Sequence, residues 1–354
     1  MASKNYQAWS VVTASTTAFT VCFMVWMMFA VIGIPIKETL KLNETQFGIL
    51  VALPVLTGSL IRLPLGMWTD RFGGRIVFFI LMLSTVVPIW LIGQATEYWQ
   101  FLVTGLFVGI AGGSFTVGIA YCARWFPKNR QGLAMGIFGA GNTGAAVNKL
   151  IAPSIVVAYG WTAVPQVYAV TMLVTALAFW MFSYTDAEHS TGGSHVTVGE
   201  QLAALKDPTV WRYSQYYSIV FGGYVALSLW MTKYYISEYG FDIRLAALFA
   251  AAFIIPGGVL RAVGGWFSDR FGAHTRDGLA YLRVRFAPER IYIRVLSRNA
   301  DGRIRRASEV DRNIRLLEAL DLGEGPLEEG RGALVERRAA LRLERDRREI
   351  ERRT

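Results

Sequence analysis

Apolar positions in the first three quarters of the chain fall in long unbroken stretches, not in the one-sided stripes of a soluble helix. Eight stretches, roughly 15–36, 46–68, 76–95, 98–121, 133–155, 164–184, 213–236 and 244–266, each approach the 20 or so residues a helix needs to cross a bilayer. None of them contains an Asp or a Glu. The pattern predicts eight spanning helices whose solvent is lipid, and the missing acids restrict proton chemistry inside them. After Gly272 the runs stop. Arginines and acids alternate to the end, and 327–354 has the spacing of an exposed helix with a thin apolar stripe at Leu334, Leu341 and Ile350. A solvated helical or disordered tail is expected there.

Basic residues give the stretches a direction. Arg71 and Arg75 follow the second, Arg124, Lys128 and Arg130 the fourth, Lys206 and Arg212 the sixth, and Arg270 the eighth, while the alternate connections are poor in unbalanced cations. By the positive-inside rule the N-terminus and the connection 185–212 are cytoplasmic. Lys149 and Lys233 fall near the outer ends of the fifth and seventh stretches, where a long side chain can snorkel to water. The polar connection, with Thr191-Gly192-Gly193-Ser194, divides the chain into a six-helix half at 1–184, the linker 185–212, two further helices at 213–274, and an Arg-rich tail at 275–354 that stays out of the membrane.

Charge sharpens the last boundary. The final 80 residues hold 20 Arg, no Lys and 15 acids, whereas everything before them has nine Arg and seven Lys. The small surplus and alternating signs argue against a nucleic-acid partner. The change in composition predicts that the tail stands in place of further helices, through a reading-frame change or a fusion. Cys22 and Cys122 are too few and too far apart for a disulfide framework, and His189, His195 and His274 have no ligand spacing, so neither metal nor cofactor is expected. The N-terminus has no cleavable signal pattern. No nucleophile–base pair or phosphate loop marks an enzyme.

One internal repeat stands out. Arg62, Gly66, Asp70, Arg71, Phe72 and Gly73 recur 199 residues later as Arg261, Gly265, Asp269, Arg270, Phe271 and Gly272. Six identities in register, each at the end of the second helix of its half, predict a duplicated six-helix unit. Gly66 and Gly265 would permit close helix approach, and the Asp70-Arg71 and Asp269-Arg270 pairs would form a latch at the cytoplasmic interface. Arg62 lies about 12 Å inside the span from Asp70, eight residues at the helical rise. Duplication aims Arg62 and Arg261 at one axis, and two cations without an intramembrane acid require an anionic partner. A guanidinium fork suits a planar oxyanion. Neutral donors and flat walls are offered by Gly112-Gly113-Ser114-Phe115, by Gly139-Ala140-Gly141-Asn142-Thr143-Gly144, and by Tyr217 and Phe221 at i, i+4. Asn142 is the sharpest of these, since an uncompensated amide in hydrocarbon is costly.

The run Gly136-Ile-Phe-Gly139-Ala-Gly141-Asn142-Thr-Gly144, followed by Ala152-Pro153, resembles the nitrate signature of the nitrate/nitrite porter family in the major facilitator superfamily. Trp125-Phe126-Pro127-Lys128, Arg130-Gln131-Gly132, Arg62 and Arg261 fit the same family, over about 15–273. The resemblance implies an all-α, major facilitator-like bundle, here cut to about eight transmembrane helices with a charged tail, in a bacterial inner membrane. It implies nitrate and nitrite as cargo, carried by proton-linked uptake or by exchange. It also implies that Arg62 and Arg261 clamp the ion, Asn142 and Tyr217 hydrogen-bond it, and Phe115 and Phe221 sandwich it. Gly139, Gly141 and Gly144 would be the signature glycines. The family has twelve helices and a second Gly-Asn signature, which this chain lacks: 199 added to Asn142 reaches Leu341 in the tail. A non-transporting fragment or a nitrate-binding membrane regulator is the alternative.

Overall fold

The computed structural model describes residues 4–185 and 203–271, and the backbone of three strands between 281 and 305. Helix ends follow local chemistry. Asn43 and Gln46 form a reciprocal capping box at the start of the second rod, with Asn43 Oδ1 accepting from Gln46 N at 2.8 Å. Asp207 accepts from Thr209 N at 2.8 Å ahead of Pro208, and that backbone bond holds its carboxyl below the usual range. Gly73, Gly160 and Gly240 end three rods with positive φ, where a side chain is strained.

Among the described residues the result is eight rods, α1 (Lys4–Thr39), α2 (Glu44–Phe72), α3 (Gly74–Ile92), α4 (Tyr98–Arg124), α5 (131–159), α6 (Ala163–Phe182), α7 (Pro208–Tyr239) and α8 (Ile243–Phe271). Six, all but α5 and α7, are long and apolar enough to cross a membrane by length and composition; α5 and α7 are helical over comparable lengths but more polar. The seventh helix begins at Pro208, five residues ahead of the sequence-based limit, because Asp207 caps it.

Four rods depart from regular helix midway, α2 by a turn at Ile61 just before Arg62. α1 turns at Met27–Met28, α4 tightens to 3-10 helix at Ile110–Gly113, and α5 does so at Ala140–Thr143. Such mid-rod stretches mark hinges or strained sequence. α1 is the most buried, with Phe19, Phe23, Trp26 and Phe29 in the core; Trp26 Nε1 donates to the Pro54 carbonyl at 2.9 Å. Leu60, Ile80, Val87 and Met181 face outward, as lipid-facing side chains do. α3 packs on α6, α2 on α4, and α8 on α5. Arg75 closes one end of the first pair, donating to the Trp180 carbonyl at 2.7 Å and to Ser183 Oγ at 3.2 Å.

Contacts divide the chain into two units, Met1–Ala273 and His274–Thr354. The second contains strands β1 (Tyr281–Ala287), β2 (Arg290–Arg298) and β3 (Ile304–Arg305), antiparallel in the order β1-β2-β3. This corrects the expectation of a helical or disordered tail at 281–305. Those strands are rich in β-branched and aromatic residues at every second position, a pattern the arginine count obscures. The expected helix at 327–354 and the loop histidines His189, His195 and His274 lie outside the described residues.

Candidate anion-binding site

Arg62 on α2 and Arg261 on α8 approach one aromatic ring. The Arg62 Cζ lies 5.4 Å and the Arg261 Cζ 5.7 Å from the centroid of Phe221, a side chain only 6% exposed. Both are within the range of a cation–π contact. Arg62 also lies 5.8 Å from Phe115, and Arg261 5.7 Å from Tyr224. Neither guanidinium has a carboxylate within salt-bridge distance among the described residues, and Arg62 Nε is buried with no hydrogen-bond partner.

The walls are aromatic. Phe115 and Phe221 lie 6.1 Å apart and 21° from parallel; Tyr217 stacks on Phe221 at 5.1 Å and 15°. A flat ion between two rings needs about 7 Å, twice the usual contact distance, so the slot must widen by about 1 Å to admit one. Tyr217, 40% exposed, lies at the open flank. Asn142 is fully buried; its Nδ2 donates to the Gly139 carbonyl at 2.6 Å, and its Oδ1 has no partner. The structure thus gathers Arg62, Arg261, Phe115, Phe221 and Tyr217 through a chain of ring contacts, with Asn142 joined to the group through Tyr224. Tyr224 was missed in the sequence: its hydroxyl is within 3.2 Å of the Asn142 carbonyl and 3.3 Å of the Ile254 carbonyl, bridging α5, α7 and α8. Its position three residues after Phe221 was the available signal.

The glycines around the site are explained mainly by packing. A Cβ on Gly144 would meet the Thr20 carbonyl at 2.1 Å, and one on Gly141 would meet Phe19 at 2.5 Å. Gly136 lies against the Arg261 backbone, where a Cβ would reach the carbonyl at 2.5 Å. Gly139 differs: its Cβ would come 3.4 Å from Arg261 Cδ, so this glycine leaves room for the arginine side chain. Gly112 and Gly113 accommodate Trp26 and Leu65, and Ser114 Oγ bonds its own helix at the Ala111 carbonyl.

At one end of the bundle the two repeated loops behave differently. Asp269 accepts from Gly132 N at 2.8 Å and Leu133 N at 2.7 Å, across the two halves at the start of α5. Asp70 pairs with Arg124 of its own half at 2.7 Å. Arg71 and Arg270 lie over Phe72 and Trp266. Gly265 is a close approach, with a Cβ 2.0 Å from the Gly132 carbonyl, but Gly66 makes only ordinary contact with Thr116 at 3.5 Å. At this end Asp269 thus reaches across the halves to backbone amides, while Asp70 reaches Arg124 within its own half. The halves differ because Arg124 competes for Asp70.

At the opposite end, Glu44 pairs with both Lys37 and Lys233. Lys149 corrects a further expectation: it does not snorkel but is 1% exposed, donating to Thr232 Oγ1 on α7 at 2.7 Å. It lies on the face of α5 that meets α7, not on the lipid face.

Residues 14–282 match the family described as Major Facilitator Superfamily. A Thermus thermophilus protein named probable nitrate/nitrite antiporter NarK1 is 42% identical over 271 residues, 73% of this chain and 61% of that protein. A Bacillus subtilis (strain 168) protein named nitrite extrusion protein is 32% identical over 249 residues, 70% of this chain and 62% of that one. The chain thus spans less than two thirds of the length of these relatives. The fold is similar to the crystal structure of a bacterial homologue of the human lysosomal transporter Spinster, inward-facing and occupied, with TM-score 0.58 at 21% identity, covering 76% of this chain and 63% of that one. The apolar rods and the family match make this a multi-pass membrane protein. By that match and by its relatives, the chain belongs to the major facilitator superfamily, in the nitrate/nitrite porter family.

Proposed function

We propose that this chain binds nitrate, and nitrite as a second cargo, and carries them across a bacterial inner membrane by alternating access, with its N-terminus and the Asp269 contact on the cytoplasmic side. The observation that carries the reading is the pair of guanidiniums sharing the Phe221 ring with no carboxylate to offset them. Two cations over one ring, without a carboxylate partner among the described residues, favour an occupant that is anionic, and a planar fork over aromatic faces suits a flat one. The partnerless Arg62 Nε leaves a donor for that occupant, and the partnerless Asn142 Oδ1 leaves an acceptor for a bridging water. The relatives' names supply the choice of nitrate and nitrite.

Arg62 and Arg261 clamp the ion, Asn142 and Tyr217 hydrogen-bond it, and Phe115 and Phe221 enclose it. An empty site would have to reorient with two uncompensated cations, so exchange of one anion for another is the direct cycle. Proton-linked uptake would need a carrier other than a carboxylate in the spans. In this reading the ion crosses chemically unchanged, the role of a carrier and not of an enzyme.

The test is labelled-nitrate binding to the purified full chain, followed by nitrate/nitrite counterflow in vesicles. Arg62→Lys and Arg261→Lys should each weaken binding by about 10- to 100-fold, the worth of one charge-assisted hydrogen bond, without loss of folded protein. Binding at wild-type affinity in either variant overturns the clamp. Binding without counterflow favours a nitrate-binding regulator over a carrier.

A further inference from the structure

We propose that Lys149, Thr232 and Ser228 form a second anion subsite, for a small monovalent oxyanion, outward of the Arg62–Arg261 pair; the proposal rests on the reading of this chain as an anion carrier. Lys149 Nζ carries several donors and has, among the described residues, one acceptor, the Thr232 hydroxyl. Among the described residues no carboxylate pairs with it. Its neighbour Asn148 offers nothing, because Asn148 Nδ2 donates to the Met27 carbonyl at 2.7 Å and Oδ1 accepts from Tyr168 at 2.9 Å. A side chain held this way is under-coordinated.

A second observation points to the same place. Ser228 Oγ is fully buried and has no hydrogen-bond partner. It lies one helical turn before Thr232 on the buried face of α7, which continues back through Tyr224 and Phe221 to the two arginines. α7 therefore presents hydroxyls at 224, 228 and 232 along one line from the central site toward Lys149. Lys149 stands seven residues past Asn142 on α5, about 10 Å of helix. The Lys149–Thr232 bond also crosses between the two halves. When the halves part at this end, α5 and α7 separate, the ammonium loses its acceptor, and an incoming oxyanion can take that place with the Ser228 and Thr232 hydroxyls as further donors. Further out, Lys37, Lys41 and Lys233 line a cavity with Glu38 and Glu44, where Glu44 pairs with Lys37 and Lys233.

The experiment is equilibrium dialysis of [15N]nitrate against the full chain in nanodiscs, counting ions bound per chain at saturation. Two ions are expected for the wild type, one for Lys149→Met, two for Lys149→Arg, and two for Arg62→Lys, with the inner ion about 10- to 100-fold weaker. The double variant Ser228→Ala, Thr232→Val keeps the cation and should weaken the second ion at least tenfold, which gives a reading if Lys149→Met does not fold. A single ion in the wild type, or two in Lys149→Met, overturns the subsite and leaves the central clamp standing. No nitrate on the wild type overturns the carrier reading and the subsite with it.

Discussion

At the scale of single residues, the signature run separates into glycines that pack and one that gives an arginine space. Gly144 sits with its Cα against the α1 backbone, so a methyl there, 2.1 Å from the Thr20 carbonyl and 2.9 Å from Met24 N, forces two backbones apart. Gly144→Ala should lower stability by about 1–3 kcal/mol, the usual cost of overpacking, read as a fall in the melting temperature. Gly139→Ala puts its methyl 3.4 Å from the flexible Arg261 side chain. Its melting temperature and its nitrate affinity should both hardly move, because the methyl fits at ordinary contact distance from the arginine stem. Equal effects of the two variants would contradict this division. Residue identities alone reached the central cluster, since Arg62 and Arg261 are related by the repeat and Phe221 lies four residues from Tyr217 on one helical face. They did not distinguish Gly139 from Gly144, because what each glycine faces depends on which rod passes in front of it.

Between elements, the ends of the rods decide which polar groups bridge the halves. Asp269 accepts from two amides at the start of α5, where orphan N–H groups and the helix dipole both favour a carboxylate. Asp269→Ala should cost about 0.5–2 kcal/mol, as loss of a cap does, and should speed hydrogen exchange at Gly132 and Leu133. Asp70→Ala, which breaks a half-exposed pair with Arg124 inside one half, should leave those two amides unchanged. If both variants accelerate them alike, the contact is not specific to Asp269. The sequence repeat made the two loops look equivalent, because it records identity at matching positions and not the competing Arg124. Lys149 was opaque for a related reason: a lysine near the end of an apolar run has the same local sequence whether its side chain reaches water or meets a neighbouring rod. Only the packing of α5 against α7 separates the two. The strands at 281–305 were hidden by composition, since arginines interrupt the intervening Leu, Val, Ile and Phe.

Across the whole molecule, the halves are held by a seam with little side-chain volume in it. α5 and α8 meet through Gly132, Gly136, Gly258 and Gly265, where an added Cβ would come 2.0 to 2.5 Å from the opposing rod. Close backbone approach of this kind is what holds helices together in lipid, where hydrophobic burial contributes little. The same seam carries Arg261 to the centre, so association of the halves and assembly of the site are one event. The connection between them need not contribute. A protease site inserted in 186–202 and cleaved after purification should therefore leave the two fragments co-eluting in mild detergent, with nitrate binding intact. Gly265→Val, whose side chain has no space beside the Gly132 carbonyl, should let the nicked fragments separate and abolish binding together. Fragments that separate in the wild type would show that the connection holds the halves. Fragments of Gly265→Val that stay together and still bind nitrate would show that the glycine seam does not position Arg261.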